Sequence, residues 1–250
     1  MVSEPESIGD VLGAIQEQAV VLTCPDCGKT RDGVKFGGPL QIGPRYSQCP
    51  VCEALEARRR EAREEQQRQE SLEQEWLSLC PSLYRKTDPV RLVAEHPLAS
   101  KPLAEVMAWQ YGPKGIYAIG PTDTGKTRSL FLLLRRLLEE GRVIRAFDCA
   151  AFGYECRRRF MDGTGEDWID GLTRVEVVFF DDFGKMPLTE RVEAELFAVI
   201  ERRSATELPI LATSNMTGAD LVAKASGDRG APLVRRLREF CKVVVFGRGD

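Results

Sequence analysis

Gly120-Pro121-Thr122-Asp123-Thr124-Gly125-Lys126-Thr127 has the spacing G-x-x-x-x-G-K-T, and every fixed position suits the holding of phosphate. Glycines let a loop fold so tightly that consecutive backbone N–H groups point inward at phosphate oxygens. A Leu-rich helical pattern follows at once, so the positive end of its dipole adds to the cradle. Lys126 supplies a mobile positive charge for the β- and γ-phosphates, and the Thr127 hydroxyl is a magnesium ligand. The chemistry implied is the binding of a nucleoside triphosphate, ATP, with its magnesium.

A second run, Val175-Glu176-Val177-Val178-Phe179-Phe180-Asp181-Asp182, is mostly apolar and ends in two carboxylates. Burial of such acids is costly unless they meet a metal or a partner. At the C-terminal end of an interior strand they stand where parallel sheets bind their ligands. Asp181 is expected on the magnesium side, acting through water, and Asp182 is placed to orient or deprotonate an attacking water. A later strand ends in Ser214-Asn215. The Asn215 amide can hydrogen-bond that water or the γ-phosphate without adding repulsive charge; Asn and Ser also end strands simply as turn residues.

Cys24-Pro25-Asp26-Cys27 and Cys49-Pro50-Val51-Cys52 are two C-x-x-C pairs with 21 residues between them. Four thiolates in two such pairs suit tetrahedral zinc in a closed structural site, with Cys24, Cys27, Cys49 and Cys52 as ligands. The Gly-rich insert is expected to be hairpin-like. So small a segment has too little core to fold alone, and metal binding would supply its folding free energy. Neither pair sits in the βαβ context of a redox motif. Cys80, Cys149, Cys156 and Cys241 lack ligand spacing and read as small buried apolar residues. His96, the single histidine, shows no partner.

These residues need a scaffold. A chain of 250 residues suffices for one sizeable α/β domain plus a small attachment. Its 43% hydrophobic and 29% charged content is ordinary for a water-soluble globular protein. No apolar run approaches the roughly 20 residues that span a bilayer, and the acidic, polar residues 1–10 do not read as a secretory signal. The expectation is a cytoplasmic protein that does not use a membrane. A net charge of −3 gives no global attraction to nucleic acid, so any such contact must be local.

Composition divides the chain into a zinc-ribbon-like module at 1–52, a charged linker helix at 53–79 and a P-loop ATPase domain at 80–250. The linker is built of strong helix formers, with Glu56 and Arg60, and Glu64 and Arg68, at i,i+4 spacing. Its apolar residues are too few for a coiled-coil seam. It suits either a solvated spacer about 35 Å long or a helix lying on a neighbour. Beyond it, apolar runs at 115–119, 143–147, 175–181, 208–213 and 243–246 alternate with helical patterns at 127–140, 150–160, 189–203 and 231–240. The fold class is α/β: a P-loop NTPase with a five-stranded parallel sheet between helices.

The order of these motifs resembles the AAA+ ATPases, and within them the bacterial helicase loaders of the DnaC and DnaI type, with the transposition helper IstB as a relative. The resemblance covers about residues 80–248. It rests on GPTDTGKT, the Walker B-like VVFFDD, the sensor-1-like ATSN, and Pro232-Leu233-Val234-Arg235-Arg236-Leu237. The last segment is similar to the Ser-Arg-Leu/Phe box of loaders and initiators, with Arg235 in place of the serine. The family implies that Arg236 is an arginine finger reaching ATP in a neighbouring subunit, hence a homo-oligomer with ATP at subunit interfaces. The residues alone also suit a salt bridge from Arg236 to Glu239 or Glu190. Two departures stand out: Asp182 where many members carry Glu, which implies slow or shifted hydrolysis, and the short stretch after Phe246, from which the expectation is a domain without a C-terminal helical lid.

The resemblance implies a DNA-replication accessory ATPase that binds a replicative helicase through the N-terminal module and acts on single-stranded DNA. Arg157, Arg158 and Arg159, near Tyr154 on one helical pattern, are candidates for a groove pairing phosphate contacts with a stacking aromatic; they equally suit a solvated helical face. Other readings are an IstB-like regulator of a transposase, and a zinc-ribbon nucleic-acid-binding protein whose nucleotide site switches conformation without turnover. A P-loop kinase lacks an evident acceptor site and lid.

Overall fold

The computed structural model describes residues 16–37, 49–185, 189–224 and 230–247. The acidic residues 1–10 and much of the insert between the cysteine pairs, 38–48, lie outside the described residues. The chain divides into two units, Met1–Ser71 and Leu72–Asp250.

In the first unit, β1 (Gln16–Thr23) pairs antiparallel with β2 (Thr30–Gly37), Thr23 lying opposite Thr30. The hairpin therefore straddles the first cysteine pair and does not lie wholly within the insert, as the glycines there suggest. Its turn is the C-x-x-C knuckle. Gly28 takes a left-handed φ of 70°, which glycine adopts without a Cβ clash, and Cys24 N–H donates to the Lys29 carbonyl at 2.9 Å. Helix α1 (Pro50–Leu79) starts close enough to the second pair to carry Cys52 in its first turn. Its surface pairs are Glu56 with Arg60 at 3.6 Å and Glu65 with Arg68 at 2.9 Å. Arg68 thus reaches back three residues to Glu65, not four to Glu64. The last turns of α1, from Leu72, belong to the second unit, where Trp76 is buried.

The second unit continues through α2 (Pro89–Glu95), a 3-10 turn (Pro97–Ala99), α3 (Ser100–Met107), β3 (Gly115–Ile119), α4 (Lys126–Glu139), β4 (Ile144–Asp148), α5 (Cys149–Met161), α6 (Gly165–Arg174), β5 (Val177–Asp181), α7 (Glu190–Ala205), β6 (Ile210–Ser214), α8 (Gly218–Lys224), α9 (Gly230–Phe240) and β7 (Cys241–Val245). Five parallel strands form one sheet in the order β4-β5-β6-β3-β7. Side chains alternate across it with the period of two that strands impose. Ile116, Ala118, Val177, Phe179 and Leu211 face a core with Trp76, Val106, Leu130, Leu134 and Leu137. Tyr117, Val178, Phe180, Ile210 and Ala212 face another with Phe152, Ile169, Leu196, Val199 and Leu237. Helices thus cover both faces, and strands buried on both sides read as continuous apolar runs. Burying each of Phe179 and Phe180, both 0% exposed, contributes about 2–3 kcal/mol.

Strands β5 and β6 begin two residues later than the apolar runs suggest, and Arg203 is the reason. Its side chain is 0% exposed and donates to the carbonyls of Leu172, Val175, Glu176 and Pro209 at 2.6–3.0 Å. Those carbonyls tie the entries of both strands to α7 instead of to a neighbouring strand. Burial holds this guanidinium down at about 10, so the charge is tolerated only for the carbonyls it gathers. Arg203→Met should leave these carbonyls without their donor and destabilise the protein by about 3 kcal/mol or more. Thermal unfolding checks this: the midpoint should fall by roughly 6 °C or more, and an unchanged melt would refute the role.

Candidate functional site

The phosphate loop connects β3 to α4. Gly120 has φ 148°, and a Cβ there would stand 2.3 Å from the Phe246 carbonyl oxygen, so the loop leaves the sheet where only glycine fits. Gly125, with φ 86°, starts α4 against Leu92 and Ala99. Six leucine and phenylalanine side chains of α4 are buried, which fixes its N-terminus over the ends of the strands.

Lys126 is only 5% exposed and donates to the Pro121 carbonyl at 2.5 Å and to Thr124 Oγ1 at 3.4 Å. Burial pulls its ammonium below the ordinary lysine range, with Asp182 and Asp181 opposing. Both of its hydrogen-bond partners are neutral, and a phosphate oxygen is the acceptor such a cation lacks.

Asp181 and Asp182 end β5. The Thr127 hydroxyl donates to Asp181 Oδ1 at 2.8 Å, joining the phosphate loop to the acid strand. Adjacent oxygens on an octahedral magnesium stand about 3 Å apart, so this pair fits two neighbouring positions around that ion. Burial pushes the Asp181 carboxyl above its usual range, while hydrogen bonds from Thr213 and Thr127 oppose this.

Thr213, which the sequence reading passed over, ties the two acids together. Its hydroxyl donates to Asp181 Oδ1 at 2.5 Å and accepts the Asp182 N–H at 2.9 Å. The Asp182 backbone is left-handed, φ 55°, a conformation that needs such support. The Asp182 carboxylate takes Lys185 Nζ at 2.5 Å on Oδ2 and Asn215 Nδ2 at 3.3 Å on Oδ1. Ser214 points the other way, donating to the Phe183 carbonyl at 2.7 Å.

One cavity of about 320 Å³ is lined by Thr122, Asp123, Thr124, Gly125, Lys126, Thr127, Asp182 and Asn215, and also by Leu83, Tyr84, His96, Arg128 and Lys185. His96, without a partner in the sequence reading, lies 3.8 Å from Asp123 Oδ1. Arg236 does not line it. Its guanidinium pairs within its own chain, with Glu201 at 2.5 Å and Glu239 at 3.5 Å. On α5, Arg158 and Arg159 each reach Glu155 at 2.7 Å, which holds the Glu155 carboxyl down at about 2. Two of the three arginines of the expected groove are thus already paired, Arg158 also with Asp162 at 3.3 Å; Tyr154, Arg157 and Arg158 are exposed and Arg159 is half-buried. Burial raises the thiols of Cys80 and Cys156 to about 11 and those of Cys149 and Cys241 to about 12, which leaves them inert at neutral pH.

In the first unit the sulfurs of Cys24, Cys27, Cys49 and Cys52 all lie within 4.8 Å of one another, and Cys27 and Cys49 are 3.6 Å apart. Sulfurs about 2.3 Å from a tetrahedral zinc stand about 3.8 Å apart, so the donor set fits that ion. The Cys24 thiol is held down at about 6 by backbone N–H groups, that of Cys49 first and then that of Cys27. Cys52 is pushed up by its contacts with Cys27 and Cys49.

A parallel sheet with this strand order, a phosphate loop after β3 and paired acids ending β5 is the P-loop AAA+ fold. Structures of proteins with DNA-replication names share it. A crystal structure of the DnaC helicase loader is similar at a TM-score of 0.55 and 17% identity, covering 67% of this chain and 100% of that one. A DnaI crystal structure is similar at 0.52 and 19%, covering 70% and 94%. AMPPCP-bound DnaA from Aquifex aeolicus is similar at 0.51 and 20%, covering 61% of this chain but only 46% of its own. A family model described as RNA helicase matches residues 116–215, from β3 to the end of the candidate site. Among curated proteins, none matches the sequence. No helix among the described residues is long and apolar enough to cross a membrane.

Proposed function

We propose that this chain is an ATP-binding and ATP-hydrolysing DNA-replication accessory, a loader of a replicative helicase that acts on single-stranded DNA. The observation that carries the nucleotide part of this reading is the Thr127–Asp181 contact at 2.8 Å, with Asp182 and Asn215 lining the same cavity as the phosphate loop; what supports the loader part is the likeness in fold to DnaC and DnaI. Thr127 and Asp181 would hold magnesium, which supplies positive charge to the β- and γ-phosphate oxygens. Loop N–H groups and Lys126 bind and orient the triphosphate. A water oxygen bonds to the γ-phosphorus while the bond to the β–γ bridging oxygen breaks, its electron pair leaving on ADP. Asp182 accepts the water's proton, and Asn215 helps to aim the water. In an assembly, Arg236 would exchange Glu201 for the γ-phosphate of a neighbour. The zinc module with α1 would be the arm that grips the helicase; the module at 1–52, the linker at 53–79 and the ATPase domain at 80–250 serve as its three parts.

A second reading, a nucleotide switch without turnover, is favoured by one observation: both oxygens of Asp182 are already engaged, by Lys185 and Asn215. ATP turnover of the full chain, alone and with single-stranded DNA and a replicative helicase, separates the two. The expected result is slow turnover that changes when the helicase is added, with Asp182→Asn still binding ATP but turning over about a hundredfold more slowly. A chain that neither retains a helicase nor hydrolyses ATP under any of these conditions is not a loader.

A further inference from the structure

Lys185 is a cation that no motif in the sequence requires, and it stands inside the phosphate cavity. We propose that Lys185 senses the γ-phosphate within its own chain: it holds Asp182 while the terminal phosphate position is empty, and moves onto that phosphate when a triphosphate arrives, freeing Asp182 for the attacking water. The inference rests on the hydrolytic reading above and extends it to how the site tells ATP from ADP.

Geometry makes the exchange possible. The Lys185 N–H donates to the Asp182 carbonyl at 3.0 Å, so the turn from Asp182 to Lys185 fixes where the lysine stem begins. Gly184, at φ 85°, completes that turn in a conformation that side chains resist. The side chain itself is 62% exposed, and its flexible four-carbon stem can swing without disturbing the core. Lys126, Thr127, Asp182, Lys185 and Asn215 share one cavity, so the ammonium need not leave the site to change partner.

Charge gives the direction. Asp182 offers Lys185 a single negative charge. A γ-phosphate in the same cavity carries more, and at equal distance the Coulomb attraction grows in proportion. ADP ends at the β-phosphate, which the loop and Lys126 already hold, and gives Lys185 no reason to move. Placement separates Lys185 from the other cations: Arg236 pairs with Glu201 outside the cavity, Arg128 lines the cavity with its guanidinium over the Tyr84 ring, 5.9 Å from its centroid, and Lys185 is the one seen on the Asp182 carboxylate. While Lys185 sits 2.5 Å from Asp182 Oδ2, the ammonium shares that oxygen's charge and makes it a weaker base toward a water. Transfer of the ammonium restores its basicity at the moment a substrate for the water is present.

The test uses the full chain with magnesium and compares wild type, Lys185→Met and Lys185→Arg by calorimetry with a non-hydrolysable ATP analogue and with ADP, and by single-turnover hydrolysis. Lys185→Met should lose about tenfold of the preference for the triphosphate, the scale of one hydrogen bond to a charged group, with ADP affinity unchanged. Its single-turnover rate should fall as well, and Lys185→Arg should recover most of both. An unchanged triphosphate preference in Lys185→Met overturns the proposal. So does faster hydrolysis at unchanged preference, which would make Lys185 a restraint on Asp182 and nothing more. A wild-type protein that binds but never hydrolyses ATP would defeat the hydrolytic reading, and the affinity comparison would still decide whether Lys185 meets the γ-phosphate.

Discussion

Lys126→Ala should abolish useful nucleotide binding and leave the free protein no less stable than before. Removing one partner of a buried, hydrogen-bonded charge pair typically costs at least about 2 kcal/mol of binding, a loss of about thirtyfold or more. The free protein responds in the opposite sense. Lys126 is buried against a carbonyl and a hydroxyl, and burial pulls its ammonium below the ordinary lysine value. For a base, a folded-state value below the unfolded one means that the folded state disfavours the bound proton. The penalty is present throughout neutral pH and is relieved only as pH rises toward the unfolded value. Alanine removes it. Two measurements check the pair of effects: calorimetry with magnesium and ATP, and thermal melts with and without ATP. Wild type should gain stability from ATP, by roughly 2.7 kcal/mol at a hundred times its dissociation constant, and the variant should gain none. Normal ATP binding by Lys126→Ala would remove the phosphate loop from its assigned role and the functional reading with it.

How much of this site a reader of the sequence can see depends on whether each residue's role is set locally. The phosphate loop is visible because its glycines answer to local backbone needs, and β3 lies at 115–119, where its apolar run stands. The leucines of α4 are visible because helical spacing alone brings them to one face. Thr213 and Arg203 are invisible for the converse reason. Thr213 meets Asp181 and Asp182 only because β5 and β6 are neighbours, and Arg203 gathers carbonyls up to 31 positions away. Nothing in their own surroundings distinguishes them from a strand threonine and a surface arginine. Helix α6, at Gly165–Arg174, contains two glycines that argue against a helix. Packing of Ile169 and Leu172 into the core overrides that preference. Helix α2 carries a local signal: Asp88 before Pro89 is a capping residue ahead of a first-turn proline, and its carboxylate accepts the Arg91 N–H at 2.9 Å. His96, which caps the other end of that helix, lines the cavity.

The second large effect follows from the proposed zinc module in the first unit: stripping its metal should unfold the hairpin and spare the P-loop fold. A two-stranded hairpin is marginal by itself in water. In the described part of this unit, the buried apolar-class residues are Cys24 and Cys49, two of the four sulfurs themselves. Among the described side chains no hydrophobic cluster offsets the ordering of β1 and β2, so in the proposed zinc module binding free energy at the cysteines would serve as folding free energy. The second unit has two hydrophobic cores of its own, whose buried residues run from Trp76 onward. Metal analysis of the purified chain should find about one zinc per molecule. A strong chelator, or Cys24→Ser with Cys49→Ser, should expose amides 16–37 to rapid hydrogen exchange while those of β3, β5 and β6 stay protected and ATP still binds. Acid should act like the chelator, because protons compete with the ion for the thiolates. A chain that carries no zinc and keeps its hairpin protected in chelator would show that the four sulfurs come together for some reason other than a metal.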